Sequence, residues 1–90
     1  MLFLTYLISC KLTLNNKHFF NIDNLIKKYS TSIYLDGLND LWIIESHFDA
    51  IYIYNQIKPL LTNHDHFIIT EINSSFYGLL PNNKLLLLNY

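Results

Sequence analysis

The chain contains no arginine: its six cationic side chains are all lysine, set against seven Asp and Glu for a formal net charge of -1. Arginine's planar fork is the preferred tool for bidentate phosphate and guanine contacts, and lysine offers only a point charge, so strong nucleic-acid binding is disfavoured. Cysteine occurs once, at Cys10, which excludes an internal disulfide and fits a reducing compartment such as the cytoplasm. Charged residues make up only 14% of the chain, yet no apolar run approaches the roughly 18 to 20 residues that a membrane-spanning helix needs. Leu7-Ile8-Ser9-Cys10 spells a lipid-attachment box, but the preceding MLFLTYLIS has no cation and includes Thr5 and Tyr6. A secretory signal needs a cationic start and an unbroken apolar core, so a protein that is not exported is the expectation.

What is abundant is apolar surface. Hydrophobic residues are 51% and aromatic ones 16%, with seven tyrosines and six phenylalanines. Ninety residues make one domain, spanning 1–90, able to bury about 60 to 65% of the surface its unfolded chain exposes. The apolar content exceeds what one modest core of that size absorbs. A buried partner surface would take up the excess.

Residues 2–10 form a short apolar run with aromatic and β-branched members, which predicts a first strand. Phe19, Ile22, Leu25, Ile26 and Tyr29 recur at helical spacing and predict a helix ending near Tyr29, with Asn21 or Asp23 capping its start. SIYLD (32–36) and LWIIE (41–45) read as a hairpin joined by Gly37-Leu38-Asn39-Asp40. Ser46 or Asp49 then caps a second helix whose apolar positions are Ala50, Ile53, Tyr54, Ile57 and Leu61, and Pro59 should kink it or split off its last turn. After the polar Thr62 to Asp65, HFIITEIN reads as the last main strand. The remaining SSFYGLLPNNKLLLLNY, with a turn at Gly78 and a stop at Pro81, adds a fifth strand or a short helix.

The order β-α-β-β-α-β predicts an α+β ferredoxin-like fold, an antiparallel sheet with both helices on one face. On such a sheet the open face should alternate apolar with polar, yet Leu2, Phe3, Leu4, Tyr6, Leu7 and Ile8 populate both faces, as do residues 41–44. A second copy of the chain or another protein is therefore expected on the open face. Phe3, Tyr6, Trp42, Phe67, Phe76 and Tyr77 are the aromatic candidates for partner contact.

TYLISCKL in the first strand, IYLDGLNDLWIIES in the hairpin, IYNQIKPLLTNHDHFIITEI across the second helix and last strand, and the later YGLLP resemble a family. It is that of the small ferredoxin-like proteins related to the CRISPR-associated integration-complex subunit, its stand-alone SinR-like relatives and, more distantly, the VapD ribonucleases. The resemblance implies a homodimer formed by sheet packing, often with exchanged C-terminal segments, and in some members metal-dependent nuclease activity. That activity depends on an aspartate in a pattern close to Tyr-Leu-(Ile/Val)-Ser-Tyr-Asp-Leu. Aligned on Tyr6-Leu7-Ile8-Ser9, the tyrosine falls on Cys10 and the aspartate on Lys11. A magnesium ion needs carboxylate oxygens, and an ammonium group there would repel it.

Other chemistry competes with blander roles. Cys10 beside Lys11 could be an activated thiol, but strand-end packing is the ordinary role of a cysteine. On a strand His64 and His66 would point to one side and could bind zinc or another transition metal with Glu71 or His47, but the ordinary explanation, a polar loop entering a strand, is preferred. The resemblance places an acidic loop residue at Asp65. Asp36, Asp40, Glu45 and Glu71 sit at strand ends, where carboxylates are usually solvated; Asp36 and Asp40 are the alternative catalytic pair, with magnesium or manganese as cofactor. The expected function is a non-catalytic homodimeric protein-binding module that inhibits, scaffolds or regulates a larger protein in a phage-defence, counter-defence (anti-CRISPR) or toxin–antitoxin setting. The alternative is a metal-dependent endoribonuclease.

Overall fold

The computed structural model describes residues 3–38, 40–72, 76–80 and 84–88. Its elements are β1 (Leu4–Lys11), α1 (Phe19–Lys28), β2 (Ser32–Leu38), β3 (Leu41–Ser46), α2 (Ala50–Ile57) with a 3-10 turn at Lys58–Leu60, β4 (His66–Ile72), β5 (Phe76–Leu80) and β6 (Lys84–Leu88). The first four strands form one antiparallel sheet in the order β2-β3-β1-β4. β5 and β6 pair with each other, Phe76 opposite Leu88 and Leu80 opposite Lys84, so the extension is built of strands rather than a helix.

The pleat of each strand divides the sheet into two faces. Tyr6, Ile8 and Cys10 of β1 and Trp42 and Ile44 of β3 pack with Ile22 and Ile26 of α1 and Ile53 and Ile57 of α2. Both helices therefore cover one face. At about 1.5 to 3 kcal/mol for each large apolar side chain removed from water, this cluster is the main source of stability. Thr5, Leu7, Ser9 and Lys11 alternate onto the second face with their partners Glu45, Ile43, Leu41, Ile68 and His66. There Thr5 and Ile43 are buried, and Ile68 is 64% exposed.

Several local expectations resolve differently. α1 starts from His18, which makes no side-chain capping bond, and neither Asn21 nor Asp23 caps it. Asp23 instead accepts a 2.9 Å bond from the Trp42 indole and pairs with Lys27 at 3.0 Å. α2 is capped by Asp49, whose carboxylate accepts from the Tyr52 amide at 3.1 Å. Ser46, the other candidate, spends its hydroxyl on the Tyr29 carbonyl and the Phe48 amide. Pro59 splits off the last turn as a 3-10 helix, because it lacks the amide that a continuing helix requires.

β2 continues through Gly37 to Leu38, into the first half of the expected hairpin loop, with register shifts between Ile33 and Leu35 and between Asp36 and Leu38. Gly37 has φ 75, and an added Cβ would stand 3.2 Å from the Trp42 ring. Conformation and space both require glycine there.

Candidate functional site

Asp65 organises the end of the sheet where β1 finishes and β4 begins. Its carboxylate accepts from the Thr13 amide at 2.7 Å, the Thr62 amide at 2.7 Å and the Asn16 side-chain amide at 2.7 Å. The two backbone donors, Thr13 first, hold its carboxyl well below the usual carboxylate range. Asn16 also donates to the Leu60 carbonyl at 2.9 Å, so the β1–α1 connection and the loop entering β4 are tied into one unit. An acidic residue at 65 was indicated by the resemblance; its role as a fastener between two loops was not.

On the second face beside this tie, Lys11, Leu12, Thr13, His64 and His66 line a pocket of about 310 Å³. Lys11 stands opposite His66 in the strand register. The two histidines are thus brought together, but with an ammonium group rather than a third ligand. Glu71 is on the other face of β4, opposite Tyr6, and His47 lies at the far end of the sheet with its ring 4.1 Å from that of Phe3. Among the described residues no group of three His, Cys, Asp or Glu could hold a metal ion.

Asp36 and Asp40 also have other engagements. Lys27 bridges Asp23 and Asp36, at 3.0 and 3.4 Å, so Asp36 is half exposed and shares one ammonium group with Asp23. Asp40 sits in the β2–β3 turn with φ 61, and its carbonyl accepts from the Cys10 amide at 3.0 Å. The Cys10 thiol is buried in the core. Burial first, then the charges of Asp65 and Asp40, push it up to about 11, in keeping with the strand-end packing expected of it and opposite to the alternative of activation by Lys11. The reason is the pleat: residues 10 and 11 point to opposite faces.

The aromatic partner candidates separate sharply. Phe3 is half exposed, and Phe67 is half buried with its ring 5.8 Å from Tyr54. Tyr6 and Trp42 are core residues at 1% and 0% exposure, so the expectation that they contact a partner is corrected. Their polar tips are satisfied inside, Tyr6 donating to the Phe48 carbonyl at 2.8 Å and Trp42 to Asp23. The side chains of Phe76 and Tyr77 lie outside the described residues.

The most exposed apolar groups that sequence reasoning missed are Ile51 at 61%, Ile68 at 64%, Phe20 at 76% and Leu14 at 91%. Two of them were detectable by periodicity: Ile51 falls outside the 50, 53, 57 stripe of α2, and Ile68 alternates against Phe67 and Ile69. A further aromatic cluster occupies one end of the molecule, where Phe48 stacks on Tyr52 at 4.8 Å and Tyr29 meets both rings edge-on.

Fold and surface together define a small α+β domain with one helix-covered sheet face and large apolar side chains outside its core. No helix among the described residues is long and apolar enough to cross a membrane. No protein-family model, curated protein or solved structure matches the chain.

Proposed function

We propose that the chain is a protein-binding module of the ferredoxin-like type, acting in the cytoplasm as a homodimer and serving as a non-catalytic inhibitor, scaffold or regulator of a larger protein. The fold part of this reading is supported by the order β2-β3-β1-β4 and by both helices packing on one sheet face. The observation that carries the function is the set of exposed large apolar side chains, with Ile51 and Ile68 both above 60% exposure. Single exposed apolar groups are ordinary, but a chain with so few charges has little else with which to recognise a partner. A phage-defence, counter-defence or toxin–antitoxin setting follows from the resemblance to SinR-like and VapD-type proteins.

Binding is favoured over cleavage by the pairing of Asp36 with Lys27 and by Lys11, which occupies the place of the family aspartate. The test is incubation of the purified chain with RNA and DNA in magnesium or manganese, alongside a Lys11→Asp variant. Wild-type protein is expected to leave both substrates intact. Metal-dependent cleavage by wild type that EDTA abolishes would overturn the binding-only reading.

A further inference from the structure

The two edges of the four-stranded sheet differ. β2 carries two register shifts, a glycine at positive φ and the charged Asp36, all devices that discourage pairing with another strand. β4 has neither a register shift nor a glycine: its register with β1 runs unbroken from Thr5 opposite Ile72 to Lys11 opposite His66. HFIITEI has no proline or lysine and one charged residue, Glu71. Among the described residues nothing pairs with its outer edge.

Apolar groups flank that edge on both sides. Ile51 and Tyr54 are one helical turn apart on α2, and the Tyr54 ring lies 5.8 Å from Phe67, which turns this stripe towards β4. Tyr52, on the opposite flank of α2, contacts Tyr29 of the α1 end instead. The topology makes α2 antiparallel to β4. Moving three residues back along the helix from Tyr54, about 4.5 Å, therefore brings Ile51 nearly level with Ile69, about 6.6 Å along the strand from Phe67. On the second face, Ile68 projects beside the same edge.

We infer that the β4 edge is the homodimer contact, two copies pairing antiparallel about a two-fold axis at Ile69 into one eight-stranded sheet. This rests on the homodimer reading above and places the contact at the sheet edge, in place of the open face on which a second copy was expected. The register follows from the strand itself. An axis at Ile69 sets His66 opposite Ile72, Phe67 opposite Glu71 and Ile68 opposite Thr70, using the whole strand. An axis at Ile68 would oppose Asp65 to Glu71, two like charges, and one at Thr70 would shorten the pairing to residues 68–72. With the axis perpendicular to the sheet, the Ile51–Tyr54 stripes of the two copies approach on the helix face. The two Ile68 side chains do so on the other. Strand hydrogen bonds and apolar burial then act together.

The test uses the full chain with Cys10→Ala, into which a single cysteine is placed at each of positions 66–72 and oxidised with copper phenanthroline. Cross-linked dimer should peak at Ile69→Cys, where the two Cβ atoms face each other, and fall towards both ends of the strand. Separately, Ile68→Lys and Ile51→Lys, both at exposed positions, should weaken dimerisation at least tenfold while leaving the melting temperature of the monomer unchanged. Ile33→Lys on the β2 edge should leave dimerisation as it is. A dimer that persists through Ile68→Lys with no cross-linking maximum in β4 would overturn this surface and leave the homodimer standing. A chain that stays monomeric at every concentration would overturn both.

Discussion

Asp65 shows how one side chain can fasten two loops through donors that are mostly backbone. Because its carboxyl is held below the ordinary range, the ionised form is favoured in the folded state. That contribution is fully present above the unfolded value of about 3.9 and is lost as pH falls below it towards the folded value. Acid unfolding should therefore begin below about pH 4, and Asp65→Asn should lower the melting temperature at pH 7 while flattening its dependence on acid. The measurement is thermal unfolding by circular dichroism between pH 2 and 7. An unchanged acid limb in Asp65→Asn would remove Asp65 from this role. Cys10 makes the opposite statement, its thiol kept neutral by burial and raised to about 11. Its reaction with a thiol-specific disulfide reagent at neutral pH should be on the order of a hundredfold slower than in the unfolded chain. Equal rates would mean that the site is open.

At the scale of elements, the helices were legible because Ile22 and Ile26 repeat at helical spacing, and the first strand because residues 2–10 form a short apolar run with aromatic and β-branched members. The helix ends were less so. Two acidic or polar side chains near each start could cap it, and the choice depended on long-range partners absent from the local sequence. Asp23 was drawn to the Trp42 indole 19 residues away, whereas Asp49 had no such competitor and caps α2. Asp49→Ala should cost about 1 kcal/mol, read as a lower denaturant midpoint with an unchanged slope. A loss within error of zero would mean that packing of Ile53 and Ile57 alone sets the start of α2. Extension of β2 through Gly37 was also hidden, because the position reads as a turn until the Trp42 ring beneath it is placed.

For the whole molecule, the order of elements and their sorting into two layers were legible, since both follow from periodicity and chain order. The surface was not. Aromatic composition pointed to partner contact without saying which rings the monomer uses for itself, and Tyr6 and Trp42 proved to be its core. What projects instead includes Leu14, Phe20 and the isoleucines Ile51 on α2 and Ile68 on β4, whose exposure depends on which flank of each element meets its neighbour. These are the groups that a partner can still bury. The most direct measurement of that claim is the solution mass of the purified chain by light scattering across a concentration series. A mass twice that of the 10.7 kDa chain is the expected result, and a constant 10.7 kDa at all concentrations would contradict it.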